Sequence, residues 1–208
     1  MMGVMLSAAG SFQWFKNKFA VEENRIEQEG GPNAYDNLTA QASEVDPGSE
    51  GCIFLPYLSG ERTPHPDPHA RGAFIGLSLR HGLGHMARSV LEGVSFGLND
   101  SLSLMRGLGI NPSNIILTGG GTESSLWKQM LSDVFQSNCA LVNAKEGAAY
   151  GAALLASVGI GTQQSVESAS REWIRETENI MPGNDVVTYD KIYCHYRELY
   201  PSLKNHFH

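Results

Sequence analysis

Apolar side chains along this chain follow two alternating patterns. In several stretches they recur every three or four residues, which is typical of amphipathic helices, and short apolar runs of strand length lie between these stretches. The first pattern predicts helices at 34–45, 84–105, 123–136, 146–158 and 189–203. The second predicts strands at 52–58, 73–79, 115–118 and 140–143, and residues 4–19 are predicted to be a strand end leading into a helix. This alternation favours an α/β domain in which crossover helices join parallel strands.

Prolines and small residues add detail to this outline. Residues 60–72 hold three prolines and several charges, so we expect a long, ordered or functional loop there. Pro201 should bend or interrupt the last helix, because proline lacks the backbone N–H that an interior helical turn needs. The small residues from Glu146 to Ala153 are predicted to pack closely against a neighbouring element.

Composition indicates one packed domain. The chain has 208 residues, of which 41% are hydrophobic and 18% are charged, values close to those of ordinary globular proteins. Acidic residues outnumber basic ones by 22 to 15, which gives a net charge of -7. The chain therefore has no overall attraction for nucleic acid or for an anionic membrane, and any phosphate must be held by local contacts.

The cysteines and the apolar runs bear on the cellular compartment. Cys52, Cys139 and Cys194 are odd in number, far apart and outside any C-x-x-C pattern, which argues against a disulfide framework and a zinc site. No run of about 18 apolar residues occurs, so no membrane span is expected. No signal peptide is evident either, and we expect a cytoplasmic location.

A glycine-rich turn is the most informative local motif. The predicted strand at 115–118 runs into Gly119, Gly120, Gly121 and Thr122, and a predicted helix follows. Glycines let a ligand approach the backbone, and the amides at a helix N-terminus favour a phosphate or another electron-rich group. A tight connection without a ligand explains the same residues equally well. The sequence contains no G-x-x-x-x-G-K-[ST], which excludes a P-loop, and we expect a side chain at Gly120 to be penalised by a positive φ.

The sequence Gly93-Val94-Ser95-Phe96-Gly97 matches the nucleophile elbow G-x-S-x-G. It lies inside a predicted helix, whereas the elbow requires a strained turn from strand to helix. We therefore expect Gly93 and Gly97 to form a close-contact face, and Ser95 is not predicted to be a nucleophile.

Four histidines cluster in the sequence: His65, His69, His81 and His85. The prolines around His65 prevent a helix that would align it with His69. We therefore read these histidines as loop residues and expect no metal site.

Two neighbouring segments carry a family resemblance. Residues 56–65 read PYLSGERTPH and residues 72–77 read GAFIGL. Together with His85, Met86, Ser89 and Glu92, they fit the C-terminal signature of the FGGY carbohydrate kinases in residue type and spacing. The glycine-rich turn and the small residues from Glu146 to Ala153 fall in that family's order. The chain thus resembles these kinases, and the xylulokinases most closely, over nearly its whole length.

The resemblance implies a ribonuclease H-like fold of the actin, hexokinase and Hsp70 type, in which two α/β domains close over sugar, ATP and Mg2+. Residues 1–208 are expected to be the C-terminal nucleotide-binding domain, without the N-terminal sugar-binding domain. In such kinases the turn matching Gly119, Gly120, Gly121 and Thr122 contacts the adenosine side of ATP. Ser125 falls where relatives contact adenine, and the segment with Ala9 and Gln13 lines the same nucleotide.

The resemblance also implies an activity, which is transfer of the γ-phosphate of ATP to a sugar hydroxyl. D-Xylulose is the first expectation, with ribulose, gluconate and glycerol as alternatives, and a non-catalytic nucleotide-binding protein is a further one. The family's catalytic aspartate lies in the N-terminal half and has no counterpart here, so the chain alone is expected to be inactive. The expected partner is a small sugar held through the missing domain, and homodimerisation stays open.

Overall fold

The computed structural model of the chain describes residues 2–144 and 147–207. Its helices are α1 (Ala8–Phe19), α2 (Val21–Gln28), α3 (Ala34–Ser43), α4 (Leu83–Gly107), α5 (Ser125–Phe135), α6 (Gly147–Gly159), α7 (Val166–Trp173) and α8 (Val186–Leu203). Its strands are β1 (Ile53–Leu55), β2 (Ala73–Ile75), β3 (Ile115–Leu117), β4 (Cys139–Val142) and β5 (Glu176–Ile180). Short 3-10 turns lie at Ser49–Gly51, Gly120–Glu123 and Lys204–His206.

The strands form two small sheets. β1 and β2 pair antiparallel, with Phe54 opposite Phe74. The other sheet has the order β3-β4-β5, in which β3 and β4 are parallel and β5 runs antiparallel to β4. The predicted crossover is therefore confirmed for β3 and β4, which α5 connects. Parallel pairing was the wrong expectation for β1 and β2, because short apolar runs indicate burial but carry no information on strand direction.

Helix α4 is the central element of the core. It packs against α1, α3, α5 and β1, and nearly all of its side chains between Ala87 and Ser101 are buried. At Gly93 the backbone of α4 touches β1, because a Cβ atom there would overlap the carbonyl oxygen of Phe54. Gly97 lies against the side chains of Met5 and Tyr196. The predicted close-contact face is confirmed.

A buried ion pair links α4 to its neighbours. Arg88 Nε donates to Glu92 Oε1 at 2.9 Å, and the two side chains are only 5% and 3% exposed. The same guanidinium donates to the carbonyl oxygens of Ala42 and Val45 and to the hydroxyl of Tyr189. One turn of α4 thereby holds the end of α3 and the start of α8.

Glu92 also holds a strained turn. Its carboxylate accepts hydrogen bonds from the Gly48 N–H at 2.8 Å and from the Ser49 hydroxyl at 2.9 Å. Ser49 and Glu50 have φ values of 50° and 49°, between glycines at 93° and 94°. Positive φ is costly for residues with a side chain, and surrounding contacts must hold it in place. Glu92 supplies two of those contacts.

Helix α8 covers α4 through a cluster of tyrosines. The hydroxyls of Tyr57 and Tyr196 lie 3.2 Å apart, and both residues are only 1% exposed. The Tyr193 hydroxyl donates to Asp100 Oδ1 at 2.6 Å. Burial raises the pKa of Asp100 to about 6, and the Tyr193 hydrogen bond only partly opposes this shift. Asp100 is therefore a buried carboxyl that resists ionisation.

Three elements were not predicted, namely α2, α7 and β5. Glu23 is the only buried residue of α2 and Ala169 the only one of α7, so both helices are short and contribute little to the core. β5 buries Ile180 alone. The backbone pairing with β4 holds β5 in place, and the side-chain pattern does not show this pairing.

Several boundaries differ from the predictions. Residues 2–7 form no strand, and α1 begins at Ala8. The strand predicted at 73–79 ends at Ile75. α8 continues through Pro201 and ends two residues later at Leu203, so the predicted interruption is not found. Glu146 lies outside the described residues, and in α6 only Leu154 and Ser157 are buried, so the predicted close packing of its small residues is not found.

No helix in the described ranges is long and apolar enough to cross a lipid bilayer. Cys52, Cys139 and Cys194 are free, and the first two are buried.

The contact between Gly93 and β1 predicts an unequal pair of glycine variants. Gly93→Ala should lower the free energy of unfolding by about 3 kcal/mol, because the backbone carbonyl of Phe54 cannot move aside without disturbing β1. Gly97→Ala meets the end of the flexible Met5 side chain at 3.0 Å and the Tyr196 hydroxyl at 3.3 Å, and no backbone atom. Alanine is favoured over glycine in a helix by about 1 kcal/mol, so Gly97→Ala should be close to neutral. Urea unfolding of both variants measures the difference, and equal losses would contradict the contact.

Asp100 predicts a pH dependence. Its pKa is about 6 in the folded chain against 3.8 for a free side chain. Because the folded state binds this proton more tightly, the contribution of Asp100 to stability is present below pH 4 and is lost as pH rises to 6. Asp100→Asn cannot ionise and should gain about 3 kcal/mol relative to wild type between pH 4 and pH 7. Urea unfolding of both proteins across this pH range measures the effect. A difference in unfolding free energy that does not change with pH would contradict the raised pKa of Asp100.

Candidate nucleotide site

A cavity of about 550 Å³ opens between α1, α3 and the glycine-rich turn. Its walls are Ala9, Gly10, Phe12 and Gln13 from α1, Asn33, Tyr35, Asp36 and Thr39 from α3 and its cap, and Gly120, Gly121, Glu123, Ser124 and Trp127 from the turn and α5. Its size falls within the range of small-ligand pockets, about 300 to 1,000 Å³. The cavity lies where the chain leaves β3 and enters α5, which is the position where α/β folds commonly bind ligands.

The glycine-rich turn presents backbone to this cavity. Gly119 has a φ of 94°, a conformation that favours glycine, whereas Gly120 and Gly121 form the start of a 3-10 turn. The expectation of a positive φ at Gly120 was wrong. A Cβ atom at Gly120 would meet nothing within 4 Å, so a side chain there would enter open space beside the cavity. Space for a ligand, rather than backbone strain, is the reason that glycine suits this position.

Gly121 meets a different constraint. A Cβ atom there would come within 2.8 Å of Trp127 Cζ3. Trp127 is 5% exposed and lies in the first turn of α5, where its backbone N–H donates to the Ser124 hydroxyl at 3.2 Å. The indole therefore forms the support beneath the turn.

Two helix N-termini meet at the cavity. Asn33 caps α3 by accepting the N–H of Tyr35 at 2.8 Å, and Ser124 caps α5. The two carboxylates in the walls, Asp36 and Glu123, oppose the partial positive charge of these termini. No lysine, arginine or histidine is among the described residues that line the cavity. This arrangement accepts hydrogen bonds from hydroxyl and amino groups more readily than it binds a highly charged phosphate.

Four of the predicted site residues come together here, namely Ala9, Gln13, Gly120 and Gly121. Gly119 and Thr122 lie on a neighbouring groove, and Ser125 is exposed at the start of α5 beside the cavity. The nucleotide contacts predicted for all seven residues stay predictions. The α3 wall of the cavity was not predicted, and its one local signal in the sequence is the capping residue Asn33 before a polar helix.

The neighbouring groove is apolar, with a volume of about 530 Å³. Its floor is formed by α4 side chains such as Val94, Leu98 and Leu102, and β3 forms one side. β3 pairs only with β4, so one edge of this strand is left without a strand partner in the described chain. Ile116 of β3 is 46% exposed. Exposed apolar surface beside an unpaired strand edge is typical of a face that another segment covers.

Ser95 and the clustered histidines make hydrogen bonds and ring contacts within the fold. Ser95 is buried within α4, and its hydroxyl donates to the Leu91 carbonyl oxygen at 2.8 Å, so the geometry of a nucleophile elbow is absent at this serine. The ring of His65 stacks on Tyr200 with centroids 3.8 Å apart. His81 accepts the N–H of Ser78, and His85 accepts that of Gly82. No group of three or more metal-ligating side chains occurs among the residues the structure describes.

The sequence of the chain is similar to those of known proteins. Residues 1–160 match the family described as the FGGY family of carbohydrate kinases, C-terminal domain. The chain is 33% identical to xylulose kinase of Bacillus subtilis over 98% of the chain and 39% of that protein. It is 37% identical to gluconokinase of the same organism over 76% of the chain and 31% of that protein.

A solved structure shows the same fold. The crystal structure of xylulose kinase from Rhodospirillum rubrum matches with a TM-score of 0.83 and 31% identity, over 99% of the chain and 40% of that protein. The predicted α/β fold of the actin, hexokinase and Hsp70 type is confirmed. The chain spans about two fifths of the length of these xylulose kinases.

The open space at Gly120 predicts a selective loss of ligand binding. Gly120→Val should weaken ADP binding at least about tenfold, because the branched side chain fills space at the cavity wall. The fold should survive, since no protein atom lies in the way. Calorimetric titration with ADP measures the loss, and circular dichroism checks the fold. Gly151→Val is the matched control, because Gly151 also faces open space but lies on α6. Unchanged ADP binding in a folded Gly120→Val chain would mean that the glycines form only a turn.

Proposed function

We propose that this chain, which belongs to the FGGY family of carbohydrate kinases as a C-terminal domain, supplies the nucleotide-binding half of an ATP-dependent sugar kinase. The observation that carries the proposal is the cavity between α1, α3 and the glycine-rich turn. It brings Ala9 and Gln13 together with Gly120 and Gly121, although 107 positions of sequence separate Gln13 from Gly120. The full enzyme transfers the γ-phosphate of ATP to a sugar hydroxyl.

The chemistry of the walls supports an orientation for the nucleotide. Phe12, Tyr35 and Trp127 offer aromatic surface to a base, and Asp36 and Glu123 can accept hydrogen bonds from ribose hydroxyls or an exocyclic amine. The cavity walls offer the triphosphate no basic side chain from the described residues. The adenosine end of ATP therefore fits within this cavity, with the phosphates pointing outward toward the rest of the kinase.

D-Xylulose is the substrate that we propose first. The xylulose kinases align with nearly the whole chain, whereas the gluconokinase of Bacillus subtilis aligns with a smaller part of it at slightly higher identity. That alignment makes gluconate the second candidate. Because the chain covers about two fifths of the relatives, we assign the catalytic base and most sugar contacts to the remainder of the kinase.

Magnesium enters the proposal only as an ion carried by the nucleotide. The described residues of this chain form no cluster of carboxylate and histidine ligands that would hold Mg2+ by themselves. Mg2+ commonly binds through substrate phosphates with only one or two protein carboxylates.

The free cysteines and the absence of a spanning helix in the described ranges support the cytoplasm as the compartment. A homodimer remains an open part of the proposal.

A chimera tests the proposed function. The matching C-terminal part of the Bacillus subtilis xylulose kinase is replaced by this chain, and release of ADP is followed with D-xylulose and with gluconate. The chimera should turn over D-xylulose at an ordinary rate of about 1 to 1,000 per second. The chain alone should show no sugar-dependent release, because it lacks a base beside the sugar hydroxyl.

Either of two results would contradict the proposal. Turnover of D-xylulose by the isolated chain would show that it holds a complete site. A folded chimera that binds ADP but phosphorylates neither sugar would favour a non-catalytic nucleotide-binding protein. Binding of a hydrophobic dye gives an independent reading, because the groove beside β3 should bind dye in the isolated chain and lose it in the chimera.

A further inference from the structure

We infer that Ser95 is a positioning residue for the nucleotide site, which acts through the indole of Trp127 on the glycine-rich turn. The inference rests on the proposed nucleotide-binding function. Ser95 lies in α4 and is fully buried, and it is not among the residues that line the cavity. Its influence on a ligand must therefore pass through another side chain.

The hydrogen bonds at Ser95 fix one edge of the indole. The Ser95 hydroxyl donates to the Leu91 carbonyl oxygen at 2.8 Å, which leaves its lone pairs free to accept. Trp127 Nε1 donates to this hydroxyl oxygen at 3.1 Å. The indole N–H is a donor only and, when buried, requires such an acceptor. Ser95 thus sets the direction in which the ring points.

The opposite edge of the ring meets the glycine-rich turn. A Cβ atom at Gly121 would lie 2.8 Å from Trp127 Cζ3 and 2.9 Å from Cε3. Cζ3 is the ring atom across from the carbon bonded to Nε1, so the indole spans the distance between α4 and the turn. Phe12 packs against the ring with centroids 6.0 Å apart and limits its sideways movement. A rotation of the ring at Ser95 would therefore shift the contact at Gly121.

The consequence concerns affinity for the nucleotide. Gly120 and Gly121 both line the cavity, and Gly121 lies against the ring that Ser95 orients. Loss of the Ser95 hydroxyl leaves a buried indole N–H without an acceptor, so the ring must move to find another partner or water. Either movement displaces the support beneath the turn and weakens ligand binding.

A double-mutant cycle on the 208-residue chain tests the inference, with ADP affinity measured by calorimetric titration. Ser95→Ala should raise the Kd for ADP about fivefold to tenfold, since one buried hydrogen bond is lost. Trp127→Phe removes the N–H and keeps an aromatic ring, and should raise the Kd by a similar factor. The double variant should bind no more weakly than the weaker single variant, because both changes break the same link.

Ser89→Ala is the matched control. Ser89 is also fully buried in α4 and donates to a carbonyl oxygen of its own helix, that of Met86. Its removal should change the Kd less than twofold. Near-UV circular dichroism checks that each variant keeps packed aromatic side chains, and Trp127→Phe tests the same link from its other end if Ser95→Ala fails to fold.

The outcomes separate the two claims. The role of Ser95 would be overturned if a folded Ser95→Ala chain bound ADP as tightly as the wild type, or if the losses in the cycle were fully additive. Either result would leave the nucleotide site intact. A wild-type chain that binds no ADP would overturn the proposed function together with this inference.

Discussion

The buried ion pair between Arg88 and Glu92 is the interaction on which the rest of this structure depends. Both side chains lie inside the core, and burial raises the pKa of Glu92, although hydrogen bonds from Gly48 and Ser49 and the nearby guanidinium oppose this shift. Removing one partner of such a pair would leave an unpaired buried charge, which typically costs about 3 to 5 kcal/mol. The pair stabilises the fold because almost every polar atom of its two side chains has a partner on a different element.

The ion pair also explains how one helix serves both the core and the site. Arg88 and Glu92 fix the first half of α4 against α3, the strained turn and α8. Gly93 then brings the helix backbone against β1 at a distance that no other residue allows. With α4 held in this way, the side chains that follow have little freedom, and Ser95 is one turn from Leu91 and directed toward Trp127. The position of the cavity wall therefore follows from packing in the core.

The sequence predicted those parts of the fold that leave a periodic pattern. Helix α4 has a strong apolar stripe, and the strand before the glycine-rich turn is a short apolar run, so both were found. β5 escaped prediction because Glu176, Thr177, Glu178 and Asn179 are exposed and the strand exists through backbone pairing. The α3 wall of the cavity escaped for another reason. Asp36 and Thr39 are ordinary polar residues of a helix that Asn33 caps, and only the tertiary fold places the three opposite the glycine-rich turn.

The charges of the cavity lead to a last step. The walls combine two carboxylates with two capped helix N-termini and include no basic side chain from the described residues, in a chain whose net charge is -7. Such a site can bind the uncharged part of a nucleotide but cannot neutralise a triphosphate, whose transfer requires positive charge around the phosphoryl group. In the proposed kinase, binding and catalysis therefore place their demands on different groups. The cavity that we propose for the nucleoside tolerates acidic walls, and the positive charge that phosphoryl transfer needs must come from outside this cavity.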